Sequence, residues 1–143
     1  MEQNTDDKKI ISKLFISKED IAERLNSIVE LSQGVIQIFQ ETGETQIEGS
    51  SNLNNSENIF LHLLGSFLSH RSGLKEKDSL QTGEIADKIK VPITTVPAPM
   101  NVLLKERVIT RTEKGSYQLN FDNYKGIKEM LQKIRNKTVH KEE

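Results

Sequence analysis

His62 and His70 are the side chains best suited by type to hold a metal or to move protons near neutral pH. Eight residues apart (62 to 70) within the apolar segment ENIFLHLLGSFLSHR, they are poorly placed to share one ion, and their spacing suits partly buried or boundary histidines better. His140 stands apart in the tail. Nucleophilic chemistry has less support still. The chain holds no cysteine, no G-x-S-x-G turn, no glycine-rich phosphate loop and no carboxylate pair of convincing spacing. These residues predict a protein that is not an enzyme and carries neither metal nor cofactor.

Charge is the other source of chemistry. The net charge of −1 hides an asymmetry: residues 1–60 carry 11 acidic and 5 basic side chains, residues 61–143 carry 10 acidic and 15 basic. A polyanion would therefore bind the second part. Mild polarity of this kind is also common on ordinary solvated surfaces, so the pattern alone favours nucleic acid only slightly.

With 143 residues, 34% hydrophobic and 29% charged, the chain suits one modest domain with appendages. The start MEQNTDDKKI has neither the basic opening nor the apolar run of a signal peptide, and no apolar run approaches the ~20 residues that cross a bilayer. A cytoplasmic protein without a membrane partner is expected.

The elements that must position any site follow from periodicity. Residues 1–16 form an arm whose first nine residues have nothing to bury and are expected to fray, followed by the apolar Ile10, Ile11, Leu14, Phe15 and Ile16. Residues 17–55 hold a helix, a hairpin and a loop. Ser17 caps the helix, Glu19 and Asp20 suit its dipole, Ile21, Leu25, Ile28 and Val29 make its apolar face, and Gly34 stops it. VIQIF and TQIEG read as short strands about a glycine turn, and Asn55 or Ser56 is placed to cap the next helix.

Residues 56–121 carry the pattern of most interest. ENIFLHLLGSFLSHR has two adjacent apolar rows, the mark of a central helix, and Gly65 inside it predicts close packing by a neighbour. Gly73 fits a left-handed stop. Leu80 reads as a brief strand, Thr82 as an N-cap, and Ile85, Ala86 and Ile89 as the buried face of a short helix. A further helical stretch holds Val102, Leu103 and Leu104, and RVITRTEKGSYQLN reads as two strands about Glu113, Lys114 and Gly115. Residues 122–143 are expected to form a last helix and a basic tail, with an apolar stripe that runs from Phe121, just before it, through Tyr124, Ile127, Met130 and Leu131 to Ile134 and ends in the basic Lys133, Arg135 and Lys137.

This order of helix, short strand, helix, turn, helix and hairpin resembles the winged helix-turn-helix. The likeness is carried by Thr82, Glu84, Ile85 and Ala86, by Thr95 and Val96, by Leu103 and Ile109, and by Gly115 at the wing tip. It is similar in particular to small archaeal winged-helix regulators, in which a long apolar helix precedes the motif. The expected fold is thus mainly α with small β, a winged helix-turn-helix extended by an N-terminal helix and hairpin. The resemblance implies a DNA-binding protein, a small transcriptional regulator or chromatin-associated factor, with double-stranded DNA as partner. Carried onto matching positions, Thr94 and Thr95 would contact phosphate or bases, Arg107 and Arg111 would flank the wing, and Lys114 would sit at its tip. Thr82, Asn101 and Lys105 complete the implied nucleic-acid site.

The prolines depart from that pattern. All 3 lie in VPITTVPAPM, and Pro97 and Pro99 stand where relatives carry a small or polar residue and then a basic one. A proline inside a helix costs about 3 kcal/mol, whereas in the first turn it costs little. A recognition helix beginning near Pro97, with Pro92 to Val96 as an extended turn, is therefore expected, and base reading is weakened. The alternative function is a winged helix that binds a protein partner. The C-terminal stripe packs either on its own domain or on a second copy, and a homodimer is expected.

Overall fold

The computed structural model describes residues 2–112 and 115–139. Its architecture follows from one helix, α3 (Asn55–Arg71), in which every side chain from Ile59 to Phe67 is buried. A helix apolar on all sides cannot sit at a surface, so other elements must surround it. The hairpin β1 (Ile36–Ile38) and β2 (Thr45–Ile47), the helices α4 (Thr82–Ile89) and α5 (Pro97–Lys105), and the strand β5 (Ser116–Leu119) all pack on α3.

α3 is capped by Asn54 rather than by Asn55 or Ser56. The Asn54 Oδ1 accepts from the Glu57 N–H at 2.8 Å, and the Glu57 carboxylate accepts from the Asn54 N–H at 3.0 Å. Neither expected cap has a carboxylate three residues on to return the bond, which is why the frame shifts. Lys137 also reaches the buried Glu57 at 2.8 Å, so this carboxylate ties the two ends of the domain together. The same rule moves the next cap from Thr82 to Gln81, whose N–H donates to Glu84 at 3.1 Å. Thr82 is the first residue of α4.

Two antiparallel sheets flank the helices. In the first, Ile36 pairs with Ile47 and Ile38 with Thr45. The second runs β3 (Leu80–Gln81), β5, β4 (Ile109–Arg111), with Leu80 opposite Tyr117 and Ile109 opposite Leu119. The strand after α3 thus joins the far hairpin across the middle of the domain. The whole is mainly helical with small antiparallel sheets, the α+β class expected.

The N-terminal region departs from expectation. Residues Glu2–Ile11 form a helix, α1, where fraying was expected. Lys8 and Lys9 at its C-terminal turn complement the helix dipole, a local stabilisation that needs no core. α2 (Lys18–Ser32) starts as expected, with reciprocal Ser17 and Asp20 bonds of 3.0 Å that also hold the Asp20 carboxyl below its usual range. Its apolar face is only partly used: Ile28 is buried and Leu25 half-buried, but Ile21 and Val29 are exposed. The reason is that α2 rests on α6 (Tyr124–Val139) by its C-terminal part.

The stripe of α6 is satisfied within its own chain. Ile127, Leu131 and Ile134 are fully buried in the common core, so this seam is not free to pair with a copy. Arg135 donates to the carbonyls of Leu31 (3.1 Å) and Gln33 (2.6 Å), capping the end of α2. At the other end of α6 the rings of Phe67 and Phe121 stack at 4.9 Å, with the Arg71 guanidinium 5.6 and 5.9 Å from their centroids. Gly73 is left-handed (φ 87°), as its place after α3 requires.

Gly65 meets the neighbour its position implies. A Cβ built there would lie 2.7 Å from the Thr45 Cβ and 2.6 Å from its Cγ2, and would overlap its hydroxyl oxygen. Gly65→Ala gains about 1 kcal/mol of helix propensity, but overpacking of this kind costs about 1–3 kcal/mol. We expect net destabilisation in urea unfolding, partly relieved when Thr45→Ala is added; a G65A protein more stable than the parent would contradict the packing.

Candidate nucleic-acid interface

The residues implied by the resemblance fall on four consecutive pieces of chain: α4, the turn after it, α5 and the β4–β5 hairpin. α4 ends at Ile89, and Lys90 then takes a left-handed conformation (φ 60°) with its side chain exposed. Pro92 is extended, after which Ile93–Thr95 form a single 3-10 turn and Val96 is already helical. The expected extended turn is thus extended only at its start. Bonds from the Thr95 N–H to the Pro92 carbonyl (2.9 Å) and from Val96 to Ile93 (3.2 Å) tighten it, and the fully buried Val96 side chain holds it on the core.

α5 begins at Pro97, as the sequence predicts. Its first intrahelical bond runs from the Met100 N–H to the Val96 carbonyl at 3.1 Å. Pro97 and Pro99 therefore occupy positions whose N–H groups would have no helical partner, and their missing donors cost little. Val96 stays helical (φ −69°, ψ −40°) although it precedes a proline, a region disfavoured there. Burial of Val96, Met100 and Leu103 on α3 outweighs that local preference.

The helix turns Pro97, Ala98, Asn101, Val102 and Lys105 to solvent. Asn101 and Lys105 stand one turn apart on this face. Thr94 and Thr95 are exposed just before it, while Thr82 is half-buried at the start of α4. Arg107 is exposed, with a left-handed backbone (φ 61°) that turns the chain from α5 into β4. Arg111 is exposed at the end of β4, its guanidinium 5.5 Å from the ring of Tyr117, its cross-strand partner. Gly115 is left-handed (φ 74°). Lys114, placed at the wing tip by the sequence, lies outside the described residues, as does His140.

Sequence reasoning did not single out the residues that hold this corner. The Asn120 side chain donates to the Arg107 carbonyl at 2.9 Å, and Asn123 donates to the same oxygen at 3.1 Å and to the Glu106 carbonyl at 3.2 Å. The Asn123 Oδ1 also accepts from the Gly126 N–H at 3.2 Å, opening α6. An Asn just before an apolar helical stripe is a cap signal that could have found it. The apolar exposure of the α5 face was also missed: Ile93 is 54% exposed and Val102 46%. Neither residue is distinguishable from core by type.

The cations divide into two groups. Lys88 is held by Glu44 at 2.6 Å, with Lys75 on the same carboxylate at 3.5 Å, and this contact keeps the Glu44 carboxyl below its usual range. Lys137 and Arg135 are engaged as described. Lys105, Arg107 and Arg111 make no ion pair among the described residues. Lys105 and Arg107 are exposed, and Arg111 is held only by its contact with the Tyr117 ring, so none of the three has a carboxylate to give up among the described residues.

The histidines do not meet. His70 is exposed, with Nδ1 3.1 Å from the Lys75 carbonyl, whereas His62 is buried and its Nδ1 lacks a partner among the described residues. No helix among the described residues is long and apolar enough to cross a membrane. Comparison with models of known protein families, with curated proteins and with solved structures finds no match.

Burial, seconded by the positive charge of Lys88, pulls the His62 imidazole from 6.5 down to about 4. The unfolded chain therefore binds this proton first as pH falls, so His62 leaves stability unaffected above about 6.5 and lowers it progressively down to about 4. The shift corresponds to a loss of about 3 kcal/mol. Urea unfolding at pH 7.0, 5.5 and 4.5 should show this slope, and His62→Gln should flatten it; an equal slope in both proteins would assign it to the carboxylates.

Proposed function

We propose that α3 to β5 forms a winged helix-turn-helix and that the chain is a DNA-binding protein, a small transcriptional regulator or chromatin-associated factor. The observation that carries this reading is the pairing of β3 with β5. It joins the short strand after α3 to the terminal hairpin, giving the sheet order β3, β5, β4 around three helices. In this reading α4 is the support helix, α5 the recognition helix and β4–β5 the wing. Lys105, Arg107 and Arg111, which make no ion pair among the described residues, follow α5 into the wing and act mainly on phosphate, displacing condensed counterions without reading sequence. Asn101, the exposed polar residue in the middle of α5, is the best placed to reach a base edge.

The reading is therefore of a phosphate binder with weak sequence preference. α5 offers Lys105 as its single cation, and Pro97 and Pro99 remove two of the backbone donors that its first turn would otherwise present. A second reading is favoured by a specific observation: Ile93, Val102, Pro97 and Ala98 make the exposed surface of this segment largely apolar, which suits a protein partner better than a nucleic acid. In that case the same fold serves as an interaction module.

Titration of the full chain with a random-sequence duplex between 50 and 200 mM salt separates the two. The first reading expects affinity to fall with a log–log slope of about −3, one phosphate for each of the three cations at about −0.9. Arg111→Ala should weaken binding to all sequences alike and reduce the slope by about 1. Absence of binding at the lowest salt, or an unchanged slope in R111A, would overturn the DNA reading and leave the protein module.

A further inference from the structure

We propose that the N-terminal arm, residues 10–16, docks in the apolar groove between α2 and the C-terminal end of α3 of a second copy of this chain, and that the exchange is reciprocal. Two unsatisfied surfaces motivate this. One is the groove, a cavity of about 400 Å³ lined chiefly by Leu25, Val29, Ile38, Leu68 and Leu74, with Arg71 alongside. The other is the arm, where Ile10, Ile11, Phe15 and Ile16 are half or more exposed and Leu14 is 82% exposed. Both lie in one chain, so a two-fold related pair offers each groove one arm.

The arm does not meet its own groove. Every described side chain from Asp6 to Glu23 is exposed, so the first turns of α2 stand clear of the body. Ser17, seven residues before the half-buried Arg24, is thus carried about 10 Å off the domain at 1.5 Å per residue. Its capping box with Asp20 fixes the direction in which the chain leaves α2. A segment held out in this way, apolar and without a partner, is complementary to a neighbouring copy.

The areas agree. Burying an aliphatic or aromatic side chain removes about 60–120 Å² of apolar surface, so five such residues bring about 400 Å² per arm. With the smaller area that each groove exposes, two sites bury on the order of 1,000 Å², the low end of specific interfaces. Exchange about a two-fold axis is closed, since each arm and each groove is used once. The exchange also supplies a dimer contact that α6, buried in its own chain, does not provide, and it is independent of whether the protein binds DNA.

The cysteine-free chain allows a direct test. Full-length Phe15→Cys and Val29→Cys proteins are mixed and treated with a short bismaleimide. We expect a cross-linked heterodimer in excess of either homodimer. No heterodimer, or a Phe15→Cys/Val29→Cys double variant that cross-links only within one chain, overturns the exchange. Sedimentation of the unmodified protein provides a second measurement: we expect a dimer, and at least a tenfold weaker one in Leu14→Glu with its thermal unfolding otherwise unchanged. A parent that stays monomeric at high micromolar concentration, or a L14E dimer as tight as the parent's, overturns the proposal equally.

Discussion

The burial of α3 on all sides is the constraint on which the rest of this structure depends. A helix that hides Ile59, Phe60, Leu61, Leu63, Leu64 and Phe67 together leaves no face for water. The hairpin covers one side, α4 and α5 another, and β5 a third. Packing this tight is also what makes Gly65 necessary, because Thr45 occupies the space where any side chain would go. Two of the polar groups admitted to this core are bonded at its margins, Ser69 donating to the Gly43 carbonyl at 2.7 Å and Glu57 receiving Lys137, whereas the His62 Nδ1 has no partner among the described residues.

The same constraint accounts for the prolines near α5. Val96, Met100 and Leu103 are buried against α3, which sets where the helix lies whatever its first turn contains. Pro97 and Pro99 then cost little, since they fall where a helix has donors to spare. What they remove is a chemical opportunity, because the exposed N-terminal end of α5 offers neither a charged side chain nor the amides of those two positions. α5 is held in place by its buried side while its exposed side carries few charged or polar groups.

Cations show how far a sequence pattern can mislead about availability. Basic residues dominate the second part of the chain, yet Lys88, Arg135 and Lys137 neutralise a carboxylate or cap a helix, and Arg71 lies over two aromatic rings. Lys105, Arg107 and Arg111, exposed and without an ion pair among the described residues, are the ones that α5 and the following strand carry outward, Arg111 against the ring of Tyr117. Asn120 and Asn123 fix the corner between them by binding the Arg107 carbonyl. The asymmetry of charge was thus visible from composition, but which charges face solvent was not.

Much of the fold was legible because it rests on local rules. The helix starting after Ser17, the hairpin about Gly43, the apolar α3, the late start of α5 at Pro97 and the stripe of α6 each follow from periodicity, capping or backbone restriction over a few residues. The true caps at Asn54 and Gln81 were legible too, through Glu57 and Glu84 three residues on. Long-range matters were not. That β3 joins β5, that α6 closes on α2 rather than on a second copy, that Arg135 serves the end of a helix far away in sequence, and that Ile93 and Val102 face water while Val96 does not, all depend on which surfaces meet. Periodicity shows that a face must be buried but carries no record of what buries it, and only the tertiary structure decides that.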